Sequence, residues 1–237
     1  MVVLGALIDA LLSCLGGVAG CILKQRIKAD LGDFLMAAVS LAIIVLGIQG
    51  MAQADNILAT TLELVLGAYI GYRMDLDLQI KKIGDRLQRR LGSKYSDNPA
   101  FSNIATGFVN STLVVCVGSM GIVGALDAGL LGNNTTLYAK AVMDFVINAL
   151  LATTMGIGVV FSGFVVIIYE GILVLGAQSL SAVLVDITVH EMMVVGSVLL
   201  FALGLDMLNI KKLKVANLIP ACFMPIVILP IFAFLGL

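Results

Sequence analysis

From Leu137 to Gly171 the chain reads LYAKAVMDFVINALLATTMGIGVVFSGFVVIIYEG, an apolar run longer than a single membrane crossing needs. About 20 apolar residues already span a hydrocarbon core about 30 Å thick. Yet this run carries Lys140, Asp144, Asn148, Thr153, Thr154, Tyr169 and Glu170. Each ionisable group held in hydrocarbon costs a few kcal/mol, so such groups pair or line a cavity. Lys140, Asp144 and Asn148 recur at i, i+4 and i+8 and share one helix face. The run predicts an integral membrane protein with a polar interior.

The rest of the chain extends that expectation. Hydrophobic residues make up 60% of the sequence and charged residues 12%, which excludes an ordinary soluble domain. The apolar segments are too long, and alternate too little, for transmembrane strands. Eight segments are expected in one all-α domain over 1–237: roughly 2–23, 33–51, 56–73, 104–126, 140–162, 164–184, 190–208 and 215–236. Residues 140–184 either cross twice or form a re-entrant hairpin. Pro220, Pro225 and Pro230 are placed to kink or interrupt the last segment. SLAIIVLGIQ, from Ser40, resembles SVLLFALGLD, from Ser197, without a gap, which either an inverted repeat or the chance likeness of two apolar runs accounts for.

Every Lys and Arg except Lys140 falls into one of three clusters, at 24–28, 73–94 and 211–214. Basic residues flanking spans stay in the cytoplasm, so both termini are expected outside. Between the clusters near 85 and 212, an even number of crossings must intervene. Four segments satisfy this parity. Within 75–92, Leu76, Ile80, Ile83, Leu87 and Leu91 keep helical spacing among basic residues. That pattern predicts an amphipathic helix on the cytoplasmic bilayer surface. DAGLLGNNTT, 127–136, reads as an outside loop. Gly16-x-x-x-Gly20 and Gly67-x-x-x-Gly71 permit close helix contacts. The four cysteines sit in apolar runs without CxxC spacing and read as free thiols.

No catalytic constellation appears, so neither an enzyme nor a cofactor or metal site is expected. His190 is the only histidine, and GxSxG, HExxH and phosphate-loop motifs are lacking. At about 1.5 Å per helical residue, Asp9, Glu63 and Asn148 lie roughly 10–12 Å below the outer boundary. Thr154 and Glu170 lie deeper, at roughly 20 Å, with Asn110 at a similar inner depth. Asp9, Glu63, Asn110, Lys140, Asp144, Asn148, Thr154 and Glu170 are therefore the candidate pathway residues. Acids outnumber the one intramembrane base, which favours a cation, proton or zwitterion over an anion. The expectation is a homo-oligomeric small-solute or ion transporter or channel. Its site falls between the first, third, fifth and sixth segments. The competing class is a non-transporting membrane scaffold or lipid-interacting protein, and nucleic acid is not an expected partner.

Seven stretches carry a family resemblance: VLGALIDAL, IVLGIQGM, LELVLGAYIG, FVNSTLVVCVGSMGIVGALDAGL, YAKAVMDFVINALLATTMGIGVVFS, VIIYEGILVL and ALGLDMLNIKKLKVANLIPA. Together they cover nearly all of 1–225 and resemble the domain of unknown function 554 family, the YqgA/YdfK-like proteins. The resemblance implies a multi-pass protein of the bacterial cytoplasmic (inner) membrane, for which transport is a suggested role and no activity is established. Asp127, Lys140, Asp144, Asn217 and Pro220 stand on the family's usual residues. Asp9 stands where Asn is usual, Glu170 where Gln is usual and Tyr72 where Glu is usual. Two added acids within spans imply that members need not all move one solute.

Overall fold

Residues 2–24, 29–79, 104–116, 119–181 and 184–235 are described by a computed structural model, together with positions 82, 86 and 89. The described residues form helices and connecting turns, without strands. The α-helices are α1 (Leu4–Lys24), α2 (Ala29–Met51), α3 (Ile57–Met74), α4 (Ile104–Cys116), α5 (Ser119–Leu131), α6 (Thr135–Met155), α7 (Ser162–Leu180), α8 (Asp186–Met207) and α9 (Pro225–Leu235). Two 3₁₀ segments, Gly156–Phe161 and Val215–Phe223, join α6 to α7 and lead into α9.

The long apolar run is resolved by a fold-back. As one straight helix, the 46 residues of Thr135–Leu180 would reach roughly 69 Å, over twice the hydrocarbon core. The chain breaks instead at Gly156, whose φ of +77° suits glycine and whose N–H closes the last turn on the Ala152 carbonyl. Both arms then pack on α1 in opposite senses. Gly5, Gly16 and Gly20 meet Leu137, Phe145 and Ala149, so α6 runs parallel to α1. Gly17 meets Val160 and Gly163 meets Ala10, so α7 runs back. The Gly16-x-x-x-Gly20 pair has a direct purpose: a Cβ at either position would collide with an α6 carbonyl.

Two further antiparallel pairs complete the bundle. Gly67 and Gly71 of α3 lie on Ala221 and Asn217. Between α2 and α8, Gly47 faces Phe201 while Gly204 faces Ile44. In the gapless match from Ser40 and Ser197, Gly47 aligns with Gly204 and Ile44 with Phe201. The contact is thus reciprocal, as an inverted repeat requires.

Contacts at the two ends tie the loops together. His190 Nε2 lies 2.9 Å from the Gln53 carbonyl, joining the start of α8 to the α2–α3 turn. At the opposite end Lys24 Nζ donates to the Thr154 carbonyl (2.6 Å) and Lys214 pairs with Asp75 (3.7 Å). Two of the basic clusters therefore share one end of the bundle.

Polarity is inside-out. Asp9, Ser13, Glu63, Lys140, Asp144, Asn148 and Glu170 are buried, whereas Leu41, Val45, Ile48, Val65 and Phe164 are exposed. By length and composition, α1, α2, Thr135–Leu180 and α8 each suffice to cross a membrane. Counting each of two bent pairs as one span raises the number from four to six. These are α4–α5, bent by 60°, and Val215–Phe223 with α9, bent by 44°. An eight-segment arrangement adds α3 and divides Thr135–Leu180 at its fold-back.

Some expected boundaries move. The loop read over 127–136 shrinks, because α5 continues through Asp127 to Leu131. Ala128, Leu130 and Leu131 sustain the helix, and Gly132, at φ +70°, ends it. The break expected near 163 lies earlier, at the glycine-containing turn 156–161. The amphipathic surface helix read over 75–92 lies, after residue 79, outside the described residues except at positions 82, 86 and 89.

Candidate functional site

The α1–α6–α7 contact brings four charged side chains together. Lys140 Nζ donates to Asp9 Oδ2 at 2.8 Å and to Asp144 Oδ2 at 2.5 Å. It also lies 3.2 Å from Glu170 Oε1, within ion-pair reach but outside hydrogen-bond geometry. Asp9 and Glu170 are fully buried, and Lys140 and Asp144 are each 4% exposed. Three helices thus place three carboxylates around one ammonium. Asp9 Oδ1 and Glu170 Oε2 are buried without a hydrogen-bond partner.

The arrangement follows from helix register. Lys140 and Asp144 are one turn apart on α6. Parallel packing of α1 sets Asp9 beside them, and the antiparallel return of α7 brings Glu170 back to the same level. Glu170 therefore lies level with Lys140 rather than about two thirds of the membrane further inward. One turn along, Asn148 Nδ2 donates to the Ser13 carbonyl and to Ser162 Oγ, both at 3.3 Å. Asn148 Oδ1 and Ser13 Oγ remain without partners. The polar band therefore continues from Lys140 to Ser162.

Three expected residues stand elsewhere. Thr154 is at the basic end, with its hydroxyl donating to the Leu151 carbonyl and its own carbonyl accepting from Lys24. Asn110 is on α4, with Nδ2 3.7 Å from Met155 Sδ. Glu63 belongs to a separate α3–α8 contact. Sequence spacing did not single out Ser13, Ser162, Gly121 or Glu191, and it marked Tyr169 as a polar residue at depth without giving it a place in the site. Ser13 was findable, one turn after Asp9 on the same face.

Two cavities lie on the α4 side. A cavity of about 650 Å³ near the basic end is lined by Asp77, Asn110, Asp206 and Lys212, among others. A more apolar chamber of about 340 Å³ includes Thr112, Cys116, Ile122, Tyr169 and Cys222. Val109 and Leu113 line both. Gly121 separates the chamber from the charges: a Cβ there would stand 3.4 Å from both Lys140 Cε and Tyr169 Cε1, and 3.6 Å from Glu170 Oε1. At the other end Ala6, Ala125, Ala128, Leu137 and Val174 form an apolar plug.

Fold and site together define an all-helical membrane protein with a buried, acid-rich ionic cluster. The chain belongs to the family described as "Protein of unknown function (DUF554)", whose model matches residues 4–230. It is 29% identical over 235 residues to "Uncharacterized membrane protein YdfK" of Bacillus subtilis (strain 168), covering 97% of each chain. It is 30% identical over 223 residues to "Uncharacterized protein YqgA" of Escherichia coli (strain K12), covering 92% of this chain and 93% of the relative. No solved structure matches the chain.

Proposed function

We propose that this protein is a transporter or channel of the bacterial inner membrane that passes a proton or small cation through the Lys140 cluster. The observation that carries the proposal is the imbalance of charge around Lys140. One ammonium neutralises one carboxylate, and two more are held with it away from water. In a low-dielectric interior the excess negative charge requires protons or a bound cation. Lys140 is then the fixed counter-charge, and Asp9, Asp144 and Glu170 exchange the mobile one.

The surroundings support passage. The inner cavity supplies polar groups, the shared Val109–Leu113 neck leads to the chamber, and Gly121 with Tyr169 forms the last barrier before the cluster. The Ala6–Leu137–Val174 plug closes the other end, so the route faces the basic side. Eight crossings with both termini outside suit this route. The arms α6 and α7, at roughly 31 and 28 Å, each match the hydrocarbon thickness.

The test is uptake into proteoliposomes. Wild-type protein should move protons or an alkali cation faster than empty vesicles, and Asp144→Asn should insert normally without doing so. Wild-type vesicles indistinguishable from empty ones for every cation tried would return the protein to the scaffold class.

A further inference from the structure

A second acidic contact lies apart from the Lys140 cluster, between α3 and α8. Glu63 is fully buried, and neither carboxylate oxygen has a hydrogen-bond partner. Glu191, on α8, is 3% exposed. Thr60 precedes Glu63 by one turn on the same helix face, and its Oγ1 lies 3.3 Å from Glu191 Oε2. Two acids and a hydroxyl therefore converge from two helices. No lysine or arginine is paired with either acid among the described ion pairs.

Burying a carboxylate without donors costs several kcal/mol, and a second buried acid nearby raises that cost. Helix packing alone would be better served by Leu or Gln at position 63. The donor atoms are all oxygen. His190 adjoins Glu191 in sequence, but its ring is turned to the Gln53 carbonyl and, at 3.6 Å, to Asp55. Among the described residues no group of three or more His, Cys, Asp or Glu side chains could hold a metal ion, so two carboxylates and a hydroxyl are the side-chain donors here. Oxygen-only donors of this kind suit hard cations.

We propose that Thr60, Glu63 and Glu191 form a binding site for a hard, oxygen-ligated alkali or alkaline-earth cation. The α2–α3 turn and the start of α8, with exposed Asp55 and half-exposed His190, give it a hydrated mouth. Glu63 lies only six residues inside α3, roughly 9 Å from its start. The site does not depend on the Lys140 cluster conducting anything, because it is built on different helices.

The test uses purified full-length protein in detergent. Thermal unfolding is followed in NaCl, KCl, CaCl₂ and MgCl₂, with choline chloride at matched ionic strength as the reference. At least one of the four cations should raise the midpoint in a saturable way. Glu63→Gln should abolish that rise, and Thr60→Val should raise the half-saturating concentration several-fold. The part of the rise that depends on Glu63 and Thr60 should persist on an Asp144→Asn background, which separates this site from the Lys140 cluster. Should Glu63→Gln not fold, direct binding of radioactive sodium or calcium to wild type and Thr60→Val decides the matter. No cation-specific rise in wild type would overturn the proposal. So would a rise retained in Glu63→Gln, or equal binding by Thr60→Val.

Discussion

Replacing Lys140 should damage the protein far more than replacing any one of the acids around it. Among the described residues Lys140 is the one cation paired with Asp9 and Asp144, and it lies 3.2 Å from Glu170. Lys140→Gln leaves three buried carboxyl groups around a neutral amide. Breaking a buried ion pair in this way typically costs about 3–5 kcal/mol. Asp144→Asn leaves Lys140 two carboxylates and keeps a hydrogen-bonding group, for a loss of about 1 kcal/mol. The double variant is the sharper case. Were the pair isolated, neutralising both members would recover most of the loss. Here Asp9 and Glu170 stay buried and unpaired, so Lys140→Gln with Asp144→Asn should remain close to the Lys140→Gln value. Thermal aggregation of the detergent-purified variants, read by size-exclusion chromatography after heating, ranks the three. Lys140→Gln no less stable than Asp144→Asn, or a double variant restored to wild-type stability, would refute a Lys140-centred cluster.

Other outcomes follow from packing and route. Gly50→Cys with Ser197→Cys should crosslink on mild oxidation, because Ser197 packs directly on Gly50 across the antiparallel α2–α8 contact; failure would contradict that register. Single cysteines at Gln53 and Asn133 should react with an impermeant reagent from outside intact cells, while those at Lys28, Ser93 and Lys212 should not. External labelling at Lys212 would overturn the eight-crossing arrangement. Gly121→Ala should slow flux while leaving the folded protein intact, since its Cβ would touch Lys140, Tyr169 and Glu170 at 3.4–3.6 Å. Unchanged flux would remove Gly121 from the route.

Much of this architecture was legible in the chain because lipid makes polarity informative. Lys140, Asp144 and Asn148 declared a shared polar face by spacing alone, and Asp9 stood out as an acid in an apolar run. The glycine pairs at 16/20 and 67/71 marked the contacts that the structure uses. Partners across helices were less legible. Glu170 reaches Lys140 only because Gly156 breaks the run there, and a depth count that placed the break near 163 set Glu170 too deep. Glu63 looked like a fourth acid of the same pathway because depth says nothing about which side of a bundle a helix occupies. Glu191 was masked by its neighbour His190 and by its position near a helix start. Tyr169 and Gly121 acquire meaning only once α5 is laid against α7.

The central claim is that charge passes through the Asp9–Lys140–Asp144–Glu170 cluster. Transient currents from proteoliposomes on a solid-supported membrane, driven by proton and sodium concentration jumps, test it most directly. Wild type should give a protein-dependent current with at least one of these ions. Asp9→Asn and Glu170→Gln should each abolish it while eluting as folded protein. A full current in both folded variants would contradict the claim and leave the cluster as an internal brace between α1, α6 and α7.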